Sequence, residues 1–360
     1  MAHLALNEHV AESILVRPTT ESQQSFPIWG TRPALVMSWA ILLVVCAAVL
    51  AYIDSWVWVV LFLLIIAIGF AVPYALAMLI LHPRRTQPQS TPARFGIEHW
   101  EEVGFCSPDG IQLRGWFIPP DPQGDGAALV FVHGLGGNRG QKLPDAAALV
   151  AKGYGALLFD LRNHGTSGNA VTTLGYLEAD DVQSAVEYLQ RRPEVNSERI
   201  GLIGYSMGGA AALRAAARLP RIKAVVAEST FTSLEDNIAK GMIPQTGLPS
   251  FPFVPFMLWL GERLTGLQIQ HVRPIDDVIR VSPRPILFVH GTQDRTVQMS
   301  NSVKLYEAAQ SPKGLYLVPH VSHAEVSSAE PHEFACRISG FLDWAVRGIE
   351  RRQRPRVSKL

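Results

Sequence analysis

The stretch Gly201-Leu-Ile-Gly-Tyr-Ser-Met-Gly-Gly-Ala-Ala-Ala-Leu-Arg214 reads as a strand, a sharp turn and a helix. Ile200, Leu202 and Ile203 form a short apolar run that stops at Gly204, and an alanine-rich helical stretch follows Ser206 at once. A nucleophile on so tight a turn needs neighbours without side chains, because the turn strains the serine backbone and brings strand and helix close together. The pattern Gly204-x-Ser206-x-Gly208 supplies those neighbours and would lift the Ser206 hydroxyl above a sheet. An ordinary glycine-rich strand-to-helix connection fits the same five residues, so the rest of the chain must decide.

Outward from this turn, apolar runs alternate with helical stripes. Ala128 to Val132, Ala156 to Phe159, Ile200 to Ile203, Ile222 to Ala227, Ile286 to Val289 and Leu315 to Val318 are short and apolar, as strands of a parallel sheet covered on both faces should be. Ile97 to Phe105, the turn Ser107-Pro108-Asp109-Gly110, and Ile111 to Ile118 predict a β-hairpin at one edge. Helical stripes fall between, for example Val182, Ala185, Val186 and Leu189, or Phe334, Ile338, Phe341, Leu342 and Ala345. The expected fold class is α/β, a mostly parallel eight-stranded sheet with helices on both faces. One segment, 231–283, breaks the alternation and is rich in Pro and large apolar residues. A structureless loop of that length is improbable in a compact domain, so a small helical lid is expected there, the alternative being that its apolar residues complete the core.

Upstream, 34–81 carries a single charge, Asp54, which divides it into two uncharged segments, 34–53 and 56–81. Each is long enough at 1.5 Å per residue to cross a hydrocarbon core of about 30 Å. Asp54 and Ser55 suit a tight turn, with Tyr52, Trp56 and Trp58 around it as an interfacial belt, so a transmembrane helical hairpin is expected. Arg17 and Arg32 before it and Arg84, Arg85 and Arg94 after it then share one side, which the positive-inside rule makes the cytoplasm. Gly69 and Pro73 leave open a re-entrant second segment that would put the domain on the opposite face. Residues 1–33 read as a polar tail, 82–94 as a proline-rich linker holding the domain off the bilayer, 95–348 as the domain, and 349–360 as a basic tail. The final Ser358-Lys359-Leu360 also matches a peroxisomal address, which a two-span anchor makes awkward to use.

A net charge of +1 over 360 residues, without a Lys/Arg stripe, argues against a nucleic-acid partner. Cys46, Cys106 and Cys336 are far apart and lack metal-ligand spacing, so neither a disulfide framework nor a zinc site is indicated. No Walker loop, HExxH or nicotinamide fingerprint occurs, and no cofactor is expected.

A serine hydroxyl needs a base, and the base needs a group that fixes its tautomer. The run Ile286 to Val289 leads through His290-Gly-Thr-Gln to Asp294, and Leu315 to Val318 leads to His323, giving the order Ser206, Asp294, His323. With these residues the chain resembles the α/β-hydrolase family over about Phe95 to Gly348. His133-Gly-Leu-Gly-Gly137 falls where that family builds its oxyanion hole, Asp160-Leu-Arg-Asn-His-Gly-Thr-Ser167 is similar to its Asp-x-Arg-x-x-Gly-x-Ser loop, and His290-Gly-Thr-x-Asp294 is similar to its acid loop. Within the family it looks most like the membrane-tethered BEM46-like and ABHD-type serine hydrolases.

The resemblance implies Ser206 as nucleophile, His323 as base, Asp294 as its orienting acid, and the backbone N–H groups of Leu135 and Met207 as the oxyanion hole. His133, Asp160, Arg162 and His164 would brace loops. His320 and His332 stand as weaker alternatives to His323, and Glu228 to Asp294. The expected activity is hydrolysis of a carboxylic ester or thioester through an acyl-enzyme, with the apolar lid and anchor favouring a lipid-like acyl group. A serine in place of Asp at the elbow disfavours epoxide hydrolase and dehalogenase chemistry. A peptidase of the same fold and a catalytically silent, membrane-tethered binding module remain the alternatives, and the oligomeric state is open.

Overall fold

The structure, a computed structural model, describes residues 32–51, 56–323 and 326–349. The expected turn at Asp54 and Ser55, with Tyr52, and the tails at 1–31 and 350–360, with Arg17 and the Ser358-Lys359-Leu360 signal, lie outside the described residues.

Two helices come first, α1 (Arg32–Ala51) and α2 (Trp56–Leu81). Among the described residues, α2 is the helix long and apolar enough to cross a membrane, while the apolar described part of α1, Met37–Val49, is shorter. Most large side chains of α2, including Trp56, Leu63, Ile65 and Phe70, are exposed, as an element built for an apolar solvent would leave them. The two helices touch where Trp39 stacks on Phe70, ring centroids 6.2 Å apart.

The domain begins with β1 (Glu101–Cys106) and β2 (Gln112–Ile118), paired antiparallel with Glu101 opposite Phe117. Then follow β3 (Ala128–Val132), α3 (Leu143–Val150), β4 (Gly155–Asp160), α4 (Glu178–Gln190), β5 (Ile200–Tyr205) and α5 (Met207–Arg218). After β6 (Ala224–Glu228) come α6 (Leu234–Thr246), α7 (Ser250–Thr265) and α8 (Pro274–Val281). The chain closes with β7 (Ile286–Gly291), α9 (Ser300–Ala308), β8 (Lys313–Val318), the short α10 (Val326–Ala329) and α11 (Pro331–Ala345). The strands form one sheet in the order β1-β2-β4-β3-β5-β6-β7-β8, parallel except for β1 and β2.

Strands β3 to β7 are buried along their whole length, which explains their unbroken apolar runs. One face is covered by α4, α5, α8 and α9 through residues such as Val182, Leu213, Val278 and Leu305; the other by α3 and α11 through Leu143, Leu149, Ile338 and Leu342. Parallel strands so covered direct their C-terminal ends, and the loops that follow, to one edge, where sites in such sheets form.

Two expectations need correction. The segment 231–283 folds as α6, α7 and α8, and much of it completes the core, as the alternative had it: Phe231, Leu234, Leu267, Ile269, Val278 and Val281 are buried in the main cluster. Other apolar residues of α6 and α7 meet α2, where Met242, Val254 and Met257 bury against Ala77. The linker 82–94 is also not a free spacer, because its first half is hydrogen-bonded to the domain through Arg85 and Thr86. Proline and polar residues signal an extended, hydrated chain; what composition does not reveal is that the domain's loops offer carbonyls at the right spacing.

Candidate active site

Ser206 sits between β5 and α5 with φ 53° and ψ −118°, a backbone conformation unusual for a residue with a side chain. Its surroundings leave no alternative to the flanking glycines. A Cβ on Gly204 would lie 2.3 Å from the Gly208 carbonyl oxygen, and one on Gly208 would lie 2.4 Å from the carbonyl oxygens of Val132 and His133. The Ser206 N–H donates to the Glu228 carbonyl at 2.8 Å, tying the turn to the end of β6.

Two loops bring a histidine and a carboxylate to this serine. His323, beyond β8, places Nε2 3.0 Å from Ser206 Oγ and Nδ1 2.6 Å from Asp294 Oδ2. With Nδ1–H donating to the carboxylate, Nε2 is left as the acceptor for the serine hydroxyl. Asp294 is itself held: Oδ1 accepts from the N–H groups of Thr296 and Val297 at 2.9 and 2.8 Å, and Oδ2 lies 3.0 Å from His290 Nε2. Burial pushes the Asp294 carboxyl up, but hydrogen bonds from His290 and His323 outweigh it and hold its pKa at about 2. The carboxylate is therefore ionised at neutral pH.

The loop after β3 has most of its amides spoken for. Gly134 N–H donates to Gln141 Oε1 at 2.9 Å, Gly136 N–H to His164 Nε2 at 3.1 Å, and Gly137 N–H to the Gly134 carbonyl at 3.1 Å. None of these bonds uses the N–H of Leu135. Met207 opens α5, where the first N–H groups of a helix have no intrahelical acceptor.

The other titrating candidates brace the frame. His133 accepts from Leu161 N–H at Nε2, 3.0 Å, and lies 2.7 Å from the Gly134 carbonyl through Nδ1; burial and the neighbouring His164 push its pKa down to about 3. His164 is likewise lowered, first by burial, and a neutral ring is what its acceptance from Gly136 requires. Asp160 accepts from Arg139 N–H and Thr166 N–H, and Arg162 is buried between Asp181 and Asp109, 2.7 Å from each.

His320 faces Gln293 at 3.3 Å, and His332 lies beside Cys336 on the far helix α11. Glu228 is buried in an ion pair with Lys142, which also bonds Asp145 at 2.5 Å. Of the expected residues, then, Ser206, His323 and Asp294 are brought together, and His320, His332 and Glu228 are engaged elsewhere. Sequence reading missed the roles of His290, Lys142, Gln141 and of Tyr205, whose hydroxyl donates to the His323 carbonyl at 3.1 Å. Only His290 carried a signal, its position four residues before Asp294 at the end of a buried strand.

A family model described as the alpha/beta hydrolase family matches residues 129–337. The chain belongs to the α/β-hydrolase family. It is 34% identical over 241 residues to the uncharacterized protein YfhR of Escherichia coli strain K12, covering 65% of this chain and 78% of that one. With the alpha/beta hydrolase domain-containing protein WAV2 of Arabidopsis thaliana it shares 26% identity over 256 residues, 66% of this chain and 78% of that protein. Among solved structures, an esterase of Pyrococcus furiosus superposes with a TM-score of 0.62 at 26% identity, covering 74% of this chain and 98% of its own. The family and the esterase neighbour together support a hydrolase.

Proposed function

We propose that this hydrolase is a membrane-anchored serine enzyme that cleaves a carboxylic ester or thioester of a lipid-like acyl group. The hydrogen-bonded line from Ser206 Oγ through His323 to the ionised Asp294 carries the reading. Ser206 Oγ attacks the acyl carbonyl carbon while His323 Nε2 takes its proton, and Asp294 holds the ring and the positive charge it gains. The developing oxyanion is received by the N–H groups of Leu135 and Met207, where loss of one such donor typically costs about 10²- to 10³-fold in rate. His323 returns the proton to the departing alcohol or thiol. Water, deprotonated by the same Nε2, then attacks the acyl-enzyme and releases the acid.

The lipid-like acyl group is supported by where the lid lies. An open groove of about 370 Å³ runs between α2 and α7, lined by Ala67, Phe70, Ala71, Tyr74, Phe256 and Leu260. Phe70 and Phe256 meet edge to face in it, 5.0 Å between centroids. An apolar acyl chain suits such a lining. The two-span hairpin and a cytoplasmic domain belong to the same proposal. Arg17 and Arg32 before the hairpin and Arg84, Arg85 and Arg94 after it supply the charge bias for that orientation; protease protection in sealed vesicles tests it.

Hydrolysis of a homologous ester series, from acetyl to palmitoyl, by the full chain in detergent or vesicles tests the substrate class. The proposal expects kcat/KM to rise with chain length; a flat or falling profile refutes a lipid-like substrate while leaving the esterase intact.

A further inference from the structure

Between the end of α2 and the 3₁₀ turn at Pro92–Phe95, the chain crosses the loops that follow β3 and β4 and binds each of them. The Leu81 carbonyl accepts from Asn163 Nδ2 at 3.1 Å and from Thr172 N–H at 3.0 Å. Arg85 places its guanidinium on the loop after β4, donating to the Gly165 carbonyl at 3.0 and 3.2 Å and also to the Ser167 carbonyl and Asn169 Oδ1. Thr86 accepts from Asn138 Nδ2 at 3.1 Å through both its carbonyl and its hydroxyl, and Pro88 packs against Gly140 in the loop after β3.

These two loops are themselves joined next to the proposed oxyanion donor. His164, beside Asn163 and Gly165, accepts the N–H of Gly136, the residue after Leu135. Asp160 accepts from Arg139 on one loop and Thr166 on the other. Asn163 has φ 60° and Gly165 φ 48°, and a Cβ on Gly165 would fall 2.1 Å from Asp160 Cγ, so the loop has one tight course and its carbonyls must be held to keep it.

We propose that residues 81–88 form a strap that positions the oxyanion loop, with Arg85 and Thr86 as its positioning residues. The proposal rests on the reading of Leu135 as an oxyanion donor. A planar guanidinium reaches several carbonyls at once in a fixed fork, which a lysine ammonium on a flexible stem does not reproduce. Loss of the fork lets the loop after β4 relax, His164 moves, and the amides around Leu135 lose their aim. The helix that precedes the strap is the apolar α2, so the anchor and the catalytic frame form one continuous structure.

The test uses the full chain. Arg85→Ala is expected to lower kcat for a short soluble ester between about 10- and 100-fold with KM little changed, the scale of a misplaced catalytic group. Arg85→Lys should recover only part of it. Combined with His164→Ala, the loss should be less than the product of the two single losses, because both act through one route. Should Arg85→Ala fail to fold, Thr86→Val reads the same strap from its own side, because it removes the hydroxyl that accepts from Asn138 and leaves the bond between Asn138 Oδ1 and the Gly140 N–H in place. Hydrogen exchange of the 134–141 amides, which needs no turnover, should speed up in either strap variant.

Unchanged exchange in these variants overturns the strap. Faster exchange with kcat within twofold of native overturns its role in the oxyanion loop. A native chain that hydrolyses no ester fails the serine reading instead, and the exchange result still decides whether the strap holds the loop.

Discussion

The turn at Ser206 and the contact between α2 and the lid are held together by different physics. At the turn, position is fixed by hard contacts and directed bonds: glycines where a methyl group cannot fit, an amide on the Glu228 carbonyl, a histidine bonded at both nitrogens. At the lid, Met242, Val254, Met257 and Ala77 touch through apolar surface that specifies area more than direction, and Ile243, Trp259 and Leu264 remain exposed. Close packing of backbone leaves one arrangement, whereas apolar faces tolerate sliding and exchange of similar side chains. The turn is thus fixed in one arrangement, whereas the contact of α6 and α7 with α2 keeps some freedom.

Substitutions that remove reacting groups should hit every substrate alike. Ser206→Ala and His323→Ala are each expected to lower kcat about 10⁴- to 10⁶-fold on acetyl and palmitoyl esters, with the melting temperature within a few degrees of native. A loss confined to long-chain esters would move the chemistry away from Ser206.

Next in size is the steric demand of the turn. Gly208→Ala pushes a methyl group into two backbone carbonyls and should destabilise the fold by about 3 kcal/mol or more, read from denaturant midpoints. Met257→Ala in the lid should cost less than that, about 2 kcal/mol, since α6 and α7 can close on the space. If the lid variant proved the costlier of the two, the contrast between directed and apolar contact would be wrong.

Asp294 adds a pH signature to the turn side. Its folded pKa is depressed to about 2 from the ordinary 3.8, so its contribution is fully present above about pH 4 and is lost as pH falls towards 2. The stability gap between native and Asp294→Asn, on the order of 2 kcal/mol at pH 7, should narrow over that window. A gap that stays constant from pH 5 to pH 2 would mean that the carboxylate is not held as described. The smallest effect is expected at the groove: Leu260→Ala should raise KM for palmitoyl esters a few-fold and leave acetyl esters untouched.

Much of this was legible in the residues, and unevenly so. Fully buried parallel strands such as Ala128–Val132 announce themselves by an apolar run, and the Gly204-x-Ser206-x-Gly208 turn by the sterics it needs. His323 and Asp294 follow strand ends, so strand order alone brings them near Ser206. The partly exposed β1 and β8 were less legible, since their alternating or half-buried side chains blur the ends: β1 begins at Glu101, not Ile97, and β8 at Lys313, not Leu315. Least legible were contacts between distant segments. Nothing local in Lys142 points to Glu228, nor in Arg85 to the Gly165 carbonyl 80 residues away. The end of the lid was misjudged because α8 is amphipathic and short, and its apolar stripe of Val278 and Val281 does not reveal which surface it meets.

The central claim is that Ser206 is an activated nucleophile. Intact-mass and peptide analysis of the detergent-solubilised full chain after treatment with a fluorophosphonate tests it without any choice of substrate. The account predicts one phosphonyl adduct, on Ser206, lost in Ser206→Ala and strongly slowed in His323→Ala. A folded native chain that takes up no adduct, or one labelled equally well without His323, would contradict it.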